Sequence, residues 1–458
     1  MLSKFVIKHI AYPVAEHLKN WPLRKYLEEL NESQWLTAEQ IRELQNNKLA
    51  NLIQHSYETV PFYRQLMDER GLEPQDIRTI DDLVKLPILT KNAIRAAFPE
   101  KMLSSKYDAN KLVIMSSSGS TGEPFKYYMS QDEKARKWAG LFRFWTWSGW
   151  DIGDRYATML GSPLRAFKNS RLGAFIEDRF SGVMSIPAFE LYNNNAHACV
   201  DRLLEFNPVM LRGYASSLYY VAQIIIKRGL DVRLKAICST GETLFDFQRE
   251  SIESAFHCKV FNGYGGEGME IANECEHSGF HVNAESVIAE VVDANGNRCA
   301  PGVLGQLVLT DLNHYSMPFI RYNIQDMASV SQEACLCGRG LPMLSNLSGR
   351  LTDVGITPSG KVIVVHFFTG MFMKLAPAVT GFQVIQERPN LFSISVVPGS
   401  GFNTVKDEVL QKTLEYVGPD VKVEMNIVKS IPVTAAGKRR LFISTCGLKA
   451  AGLSGSDR

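Results

Sequence analysis

The sequence lacks a charge imbalance that would favour a polyanionic partner. Its 458 residues carry 50 Lys and Arg against 48 Asp and Glu, which leaves a net charge of +2. A chain so close to neutrality has no overall field to hold nucleic acid, where neutralised phosphates supply much of the affinity. We therefore expect no nucleic-acid partner.

Long apolar runs and a high cysteine density are also missing. The longest mostly apolar runs, residues 218–226 and 362–373, are shorter than the roughly 20 residues that span a bilayer. Lys4, Lys8 and His9 interrupt any signal-peptide core near the start. Eight cysteines in a chain of this length suit a reducing compartment better than a disulfide scaffold. We expect a cytoplasmic protein that is not integral to a membrane.

The first part of the chain predicts a helical leader over residues 1–105. Thr37 and Gln40 form a capping-box pattern, in which each side chain bonds the backbone amide of the other residue. Apolar residues then recur at helical spacing until Pro61. A further N-cap follows at Thr90 or Asn92.

From residue 111, short apolar runs alternate with amphipathic segments, which predicts an α/β fold. Buried strands are predicted at residues 112–115, 156–160, 209–211, 236–238 and 259–261, and helices at 131–145 and 216–227. Residues 283–330 predict a β-rich segment with a hairpin turn at 293–296. Further on, strands at 392–397 and 421–427 accompany a helix at 405–417. These patterns predict a large domain, residues 1–348, hinged to a small mobile α/β domain, residues 349–458.

The strongest motif is a run of hydroxyl and glycine residues between a predicted strand and a predicted helix. Glycines let backbone amides approach a polyphosphate, while Ser and Thr hydroxyls donate further hydrogen bonds. It is not a Walker loop, because no Gly-Lys-Ser/Thr follows. A flexible linker is the alternative reading, but its place between two regular elements favours a phosphate-binding loop. Its candidate binding residues are Ser117, Ser118, Gly119, Ser120, Thr121 and Gly122.

Four further segments follow in a characteristic order. They are Ser239-Thr240-Gly241-Glu242, Asn262-Gly263-Tyr264-Gly265-Gly266-Glu267, residues 318–326 with Gly349-Arg350 shortly after, and Ala436-Gly437-Lys438-Arg439-Arg440. With the hydroxyl-rich loop, and with residues 60–63 and 86–91, this series resembles the adenylate-forming (acyl-AMP) ligases. Within that superfamily it resembles the branch of phenylacetate–CoA ligases and CapK-type capsular polysaccharide proteins. The resemblance covers nearly the whole chain.

The resemblance implies a role for each matched position. Asp326 would hold the ribose hydroxyls, since a carboxylate can accept from both, and Tyr264 would stack on adenine. Arg350 would contact ribose or phosphate at the hinge through its planar guanidinium. Lys438 would be the catalytic cation between the substrate carboxylate and the α-phosphate. The remaining ATP- and AMP-binding candidates are Gly241, Glu242, Asn262, Gly263 and Gly265.

Two positions depart from the pattern of the branch. The glutamate that would hold Mg²⁺ is replaced by Gly268, and the aspartate motif ends Gln325-Asp326 instead of Gly-Asp. Glu267 and Glu270 are the nearest carboxylates. We favour Glu267 as the magnesium ligand and as a catalytic residue, because the surrounding glycine-rich turn can redirect its side chain.

A second group of residues indicates a metal. Cys335 and Cys337 lie one residue apart, and Cys275 and His281 precede the β-rich segment. Three thiolates with one imidazole make a closed tetrahedral zinc site, which is structural because no position stays open for water. His277 is the reserve ligand, and unrelated reduced cysteines are the alternative. The resemblance also implies zinc, since some members of the branch carry it.

An aromatic-rich segment spans residues 138–150. The resemblance implies that the helix after the phosphate loop borders the acyl pocket, so some rings would contact substrate. Aromatic residues at helical spacing more often form core.

The predicted function is ATP-dependent activation of a small-molecule carboxylic acid through an acyl-adenylate, followed by transfer to a thiol. The cofactors would be ATP, Mg²⁺ and structural Zn²⁺, with CoA or a carrier-protein pantetheine as acceptor. Two alternatives stay open: acyl transfer to an amino group, and a non-catalytic nucleotide-binding paralogue. A homodimer is also left open.

Overall fold

The computed structural model of the chain describes residues 4–19, 21–117, 125–160, 182–188, 191, 196–266, 268–350, 354–359, 361–364, 368, 371–372, 375, 378–432 and 440–445. The chain divides into two compact units. Unit 1 comprises residues 1–241 and 252–347, and unit 2 comprises residues 242–251 and 348–458. The predicted domain boundary and hinge stay predictions.

The α-helices are α1 Lys4–Val6, α2 Tyr12–Lys19, α3 Leu23–Ser33, α4 Ala38–Thr59, α5 Pro61–Asp68, α6 Lys91–Ala97, α7 Gln131–Trp147, α8 Ala196–Phe206, α9 Ala215–Arg228, α10 Asp246–Phe256 and α11 Phe402–Val417. A π-helical turn, Ile7–Ala11, joins α1 to α2. In the part of the chain that the structure describes, no helix is both long and apolar enough to cross a membrane.

The strands are β1 Val113–Ser117, β2 Phe125–Met129, β3 Tyr156–Leu160, β4 Val183–Pro187, β5 Met210–Gly213, β6 Ala236–Thr240, β7 Val260–Gly266, β8 Met269–Glu274, β9 Phe280–Val282, β10 Val287–Val292, β11 Gly305–Asp311, β12 Tyr322–Val330, β13 Met343–Arg350, β14 Val354–Ile356, β15 Val362–Val364, β16 Val379–Arg388, β17 Leu391–Pro398, β18 Lys422–Ile427 and β19 Phe442–Ser444.

The helical leader of unit 1 forms as predicted. Thr37 Oγ1 accepts from the Gln40 amide, and the Gln40 side chain accepts from the Thr37 amide, which completes the capping box. Helix α4 ends at Thr59, as expected before Pro61, but Pro61 then opens α5, because proline suits the first helical position. Thr90, not Asn92, caps α6 by accepting from the Ala93 amide at 3.2 Å.

A mixed sheet of eleven described strands forms the centre of unit 1, in the order β10-β11-β12-β13-β9-β8-β7-β6-β5-β3-β4. Strands β4, β3, β5, β6 and β7 run parallel, and helices α8, α9 and α10 connect β4 to β5, β5 to β6 and β6 to β7, so the predicted α/β alternation is confirmed. Their residues are largely buried, which explains the short apolar runs in the sequence. The carboxyl ends of these strands share one edge, where α/β sheets bind ligands.

The antiparallel part of the sheet begins earlier than expected. Strand β8 already runs antiparallel to β7, so the β-rich region starts at Met269 and not near residue 283. The predicted turn is confirmed, with the Gly296 amide donating to Asp293 O at 3.1 Å between β10 and β11.

Strand β1 was expected to be a buried strand of the sheet, and that expectation is wrong. Among the described residues it pairs only with β2, in a separate two-stranded antiparallel ladder, and Ile114 is 58% exposed. Strand β2 was not predicted at all. Since Ser117 pairs with Phe125, the two ends of the hydroxyl-rich loop are held side by side.

Unit 2 contains a four-stranded sheet in the order β18-β17-β16-β19, accompanied by α11. The inward positions of β17, Phe392, Ile394 and Val396, are fully buried in its core together with Val409 of α11. Their alternation with polar residues produced the strand prediction. The strands and the helix expected in this region are confirmed.

Candidate functional site

Two of the predicted nucleotide-binding residues meet at the end of β7. The Tyr264 hydroxyl donates to Asp326 Oδ2 at 2.5 Å, although the residues lie 62 positions apart. Both side chains are half-buried. The sheet order explains the contact only in part, since β7 and β12 are not neighbours. The carboxylate and the aromatic ring expected to hold ribose and adenine therefore lie side by side.

The residue before the aspartate has an unusual backbone conformation. Gln325 adopts φ 70°, a left-handed conformation that costs a side-chain-bearing residue about 1–2 kcal/mol. Asn323 Oδ1 accepts from the Gln325 amide at 2.8 Å and helps to hold it. The glycine that the resemblance leads one to expect here would adopt this conformation freely.

The second departure, Gly268, also has a structural explanation. Gly268 has φ 74°, and a Cβ at this position would lie 2.2 Å from the Tyr127 hydroxyl and 3.1 Å from Lys137 Nζ. Tyr127 and Lys137 therefore occupy the space that a glutamate side chain would need. Lys137 Nζ is buried, has no hydrogen-bond partner among the described residues, and lies 3.9 Å from Asp311 Oδ2. Burial lowers the pKa of this ammonium, against the opposing effect of Asp311.

Beyond the turn, β8 places Glu270 beneath helix α7. A Cβ on Gly140 of α7 would lie 3.8 Å from the Glu270 Cβ, and a Cβ on Gly265 would lie 3.6 Å from Glu270 Oε2. Asn273, with its amide oriented to satisfy its neighbours, donates to Glu270 Oε1 at 2.9 Å. Burial raises the pKa of the Glu270 carboxyl to about 7, and the positive charge of Arg212 opposes that rise.

Arg212 lies beneath the same helix. It belongs to β5, and its guanidinium carbon is 5.9 Å from the ring centre of Trp145 in α7. Its side chain is half-buried and makes no hydrogen bond or ion pair with a described residue. The positive charge of Arg212 thus acts on the Glu270 carboxyl, although no ion pair joins the two side chains.

A buried arginine braces this region. Arg143 of α7 is fully buried and donates to Glu285 Oε1 at 2.5 Å, to Asn283 Oδ1 at 2.6 Å and to Leu30 O at 3.2 Å. The Asn283 amide nitrogen donates in turn to Glu270 O at 2.9 Å. The position of Glu270 is therefore tied to α7 and to the leader.

The four residues predicted to bind zinc form one cluster. The ligand atoms of Cys275, His281, Cys335 and Cys337 all lie within 4.8 Å of one another. The sulfurs of Cys275 and Cys335 are 3.5 Å apart, and Cys337 Sγ is 3.2 Å from His281 Nε2. The reserve candidate His277 is exposed and contributes only its amide, which donates to Cys275 Sγ at 3.4 Å.

The surroundings of the cluster suit a metal. His281 Nδ1 lies 3.2 Å from Leu341 O, and such a hydrogen bond leaves Nε2 free to act as a ligand. A Cβ on Gly279 would lie 2.6 Å from Cys335 Sγ, so only glycine fits there. Burial lowers the pKa of the His281 imidazole and favours the neutral form that binds metals. The donor set and its closeness fit a closed four-ligand ion.

Several predicted site residues lie outside the described residues. These are Ser118, Gly119, Ser120, Thr121, Gly122, Glu267 and Lys438. Ser117 and Arg350 are described only as the last residues of β1 and β13. Gly241 follows β6 with φ 73°, and Glu242 belongs to unit 2. Asn262 accepts from Ser239 Oγ at 2.8 Å, and Gly263 pairs with Asn273.

The aromatic-rich segment is mainly core, as the spacing of its aromatic residues favoured. Phe142, Phe144, Trp145 and Trp150 are each at most 5% exposed, and Trp147 is 8% exposed. Sequence reasoning missed Arg143, Arg212 and Lys137 as site residues. A sequence signal was available for Arg143, a charged residue flanked by apolar residues in Phe142-Arg143-Phe144.

Known proteins resemble this chain along most of its length. Residues 356–445 match the CapK C-terminal domain. A phenylacetate–coenzyme A ligase from Thermus thermophilus is 27% identical over 78% of this chain and 80% of its own length. Protein CapK from Staphylococcus aureus is 24% identical over 88% of this chain and 89% of its own. The crystal structure of 2-hydroxyisobutyryl-CoA ligase in the postadenylation state matches with a TM-score of 0.73 and 21% identity, covering 89% and 90% of the two chains.

These comparisons confirm the resemblance found in the sequence. The fold is that of the adenylate-forming ligases. The chain is a relative of their phenylacetate–CoA ligase and CapK branch. The similarities indicate an enzyme of the AMP-forming acid–thiol ligase class.

Proposed function

We propose that this protein activates a carboxylic acid with ATP, forming an acyl-adenylate and pyrophosphate, and then transfers the acyl group to a thiol. The observation that carries the proposal is the contact between Tyr264 and Asp326 at the carboxyl edge of the parallel strands. An aromatic face and a carboxylate at that edge suit adenine and ribose. The names of the sequence relatives, phenylacetate–coenzyme A ligases, support acid–CoA ligation.

The nucleotide would be held by groups from several segments. The hydroxyl-rich loop, residues 117–122, would wrap the phosphates, and Gly241, Glu242, Asn262, Gly263 and Gly265 would line the nucleotide site. Glu267 would hold the Mg²⁺ that accompanies ATP, with Glu270 as the alternative. Lys438 would stabilise the charge that develops as the carboxylate attacks the α-phosphate. Arg350 would contact ribose or phosphate beside the hinge.

Zinc would be held by Cys275, His281, Cys335 and Cys337. A closed Cys₃His set supplies folding energy and leaves no coordination position for a substrate. The ion would fasten the loop before β13 to the ends of β8 and β9. These residues thus contribute stability, and the acid–base chemistry is left to the groups around Tyr264.

The acceptor in this proposal is CoA or a carrier-protein pantetheine. The small domain, residues 349–458, would reorient about its hinge between the two half-reactions, so that one pocket serves both steps. We further propose a cytoplasmic location, which suits reduced cysteines.

Acid-dependent exchange of labelled pyrophosphate into ATP tests the first half-reaction. Wild-type protein should exchange with at least one member of an acid panel, whereas Lys438→Ala should not, although it still binds ATP. CoA and an amine are then added separately, and the product is identified by mass. A thioester supports the proposal, and an amide would move the acceptor to an amino group. Absence of exchange with every acid would leave a nucleotide-binding paralogue.

A further inference from the structure

The first helical stretch of unit 1, formed by α1, the π-helical turn and α2, is attached to the unit by charged side chains. Lys4 Nζ pairs with Asp154 Oδ1 at 2.8 Å, and Lys8 Nζ donates to Asp151 Oδ2 at 2.7 Å. Both aspartates lie in the segment that follows α7. A surface helix ordinarily turns its apolar side chains to the protein and its charges to solvent. This stretch does the reverse.

The same inner face continues towards the end of α2. The Tyr12 ring lies 6.4 Å from the ring of Phe142, and Glu16 is 8% exposed and accepts from the Arg24 amide at 2.6 Å. With the two lysines, these residues recur at every fourth position, a spacing that drifts by about 40° per step on a regular α-helix. The π-helical turn Ile7–Ala11 has more residues per turn and offsets part of this drift. The polar residues therefore stay on one side.

The opposite side of the helix is apolar and open to solvent. Phe5 is 68% exposed and Leu18 is 78% exposed, with Ile10 at 55% and Val14 at 53% between them. We call these four side chains the outward stripe. At 1.5 Å per residue, the stripe is about 20 Å long. A row of exposed large apolar side chains marks a surface that binds a protein or a membrane.

The area of the outward stripe is small for a protein partner. An aromatic side chain measures about 200 Å² and an aliphatic one less, so four that are partly covered offer at most roughly 500 Å². A standard protein interface buries about 800 Å² on each partner. A second copy of the chain would therefore need further contacts, whereas a bilayer surface needs only a helix with one apolar face.

The charges around the stripe favour an anionic surface. Residues 1–27 contain five Lys and Arg against one Glu, a net charge of +4, although the whole chain carries only +2. That one carboxylate, Glu16, already pairs with Arg24. His9 and His17 are the exposed polar residues next to the stripe, and neither carries a negative charge. An anionic lipid headgroup thus meets basic groups and no free carboxylate of this stretch.

We propose that residues 4–19 dock on the surface of an anionic phospholipid bilayer. The helix lies in the plane of the surface, and its outward stripe enters the boundary between headgroups and acyl chains. The ion pairs of Lys4 and Lys8 join the docked helix to the rest of unit 1. The contact is peripheral, and its test needs no enzymatic activity.

Cosedimentation of the full chain with lipid vesicles tests the proposal. Vesicles of phosphatidylcholine and phosphatidylglycerol in equal parts should bind the protein at least about tenfold more tightly than vesicles of phosphatidylcholine alone. High salt should weaken the binding to the mixed vesicles, because it screens the charges. Absence of binding to the mixed vesicles, or equal binding to both kinds, would overturn the proposal.

Variants assign the binding to the outward stripe. Ile10→Glu and Leu18→Glu should each weaken binding to the mixed vesicles by at least about tenfold, because a charge replaces an inserted apolar side chain. Val84→Glu adds the same charge at a position that is 53% exposed outside the stripe, and it should bind as wild type does. Thermal unfolding checks that each variant is folded. Unchanged binding by both folded stripe variants would contradict the assignment.

Sedimentation velocity without vesicles examines a second copy as the occupant of the stripe. The wild-type protein and Leu18→Glu should have the same oligomeric state, because the stripe contacts lipid and not another chain. A wild-type dimer that Leu18→Glu separates into monomers would assign the stripe to a protein interface and overturn the proposal.

Discussion

The Cys/His cluster and the polar groups beneath α7 differ in how closely their side-chain atoms approach one another. In the cluster, the four ligand atoms converge within 4.8 Å and have no room for anything larger than an ion. Beneath α7, Glu270 and Arg212 form no ion pair with each other, and Asn273 donates to the Glu270 carboxyl. A closed set of donors stabilises a fold, whereas a buried carboxyl with a raised pKa makes stability depend on pH. We therefore expect changes in the first region to alter stability and changes near the second to alter reaction or pH response.

The largest expected effect comes from opening the cluster. Cys335→Ser or Cys337→Ser should lose about one bound zinc per chain and lower the free energy of unfolding by at least about 4 kcal/mol. Elemental analysis and thermal unfolding measure the two effects. His277→Ala, beside the cluster but outside it, should keep the metal. Wild-type protein without zinc, after expression with ample zinc, would contradict the prediction.

Asp326→Ala should affect the reaction instead. Removal of the carboxylate that accepts from Tyr264 should lower the rate of acyl-AMP formation by about a hundredfold, because a charge-assisted hydrogen bond to ribose is lost. Zinc content should stay at the wild-type level. A loss of zinc with unchanged exchange would reverse the roles given to the two regions.

Gly268→Glu introduces the glutamate that the resemblance predicts at this position. We expect the free energy of unfolding to fall by about 2 kcal/mol or more, because the left-handed backbone and the Tyr127 hydroxyl both oppose a side chain at this position. Gly71 also has positive φ, 62°, but no atom lies within 4 Å of its would-be Cβ. Gly71→Glu should therefore lower the free energy of unfolding only by the amount of the backbone strain. Denaturant midpoints give the difference, and equal losses would exclude the clash with Tyr127.

The pH dependence of stability tests the burial of Glu270. An unfolded chain releases this proton near pH 4.5, whereas the folded protein retains it to about 7. The free energy of unfolding therefore falls as pH rises between these values. The free energy of unfolding of Glu270→Gln, measured relative to wild type, should rise by about 1–2 kcal/mol as the pH goes from about 5 to about 8, after allowance for solvent screening. A pH-independent difference would show that the carboxyl titrates normally.

The smallest effect is expected at Gln325. Gln325→Gly relieves the left-handed backbone strain of the folded protein, but it also raises the chain entropy of the unfolded state, which opposes the gain. The free energy of unfolding should therefore rise by up to about 1 kcal/mol. Urea unfolding of the two proteins measures it. A loss of stability would mean that the Gln325 side chain makes a contact that outweighs the strain.

Local patterns predicted much of this fold and brought together on paper two groups of residues that the structure places in contact. Strand β3 was predicted with its observed ends, because the apolar run Tyr156–Leu160 is bounded by turn residues. The metal cluster could be predicted because thiols and imidazoles have few other roles at such spacing. The order of the motifs along the chain likewise predicted Tyr264 and Asp326 as nucleotide-binding residues.

The missed features depend on long-range pairing. Strand β1 leaves the main sheet because β2 pairs with it, and no local pattern in residues 112–115 distinguishes the two partners. Glu270 and Arg212 come from β8 and β5, which two other strands separate. Their shared position beneath α7 follows from sheet order and helix packing, and spacing in the sequence carries no information on either.

The three carbonyl and carboxyl partners of Arg143 bear on how the helical leader and the rest of unit 1 depend on each other. One guanidinium joins Leu30 of α3 to Asn283 and Glu285, and Asn283 reaches Glu270. Shortening the chain before residue 31 would leave a buried cation with one acceptor fewer and would weaken the support of the Glu270 backbone. A change in α3 should therefore reach the position of Glu270 through the Arg143 side chain.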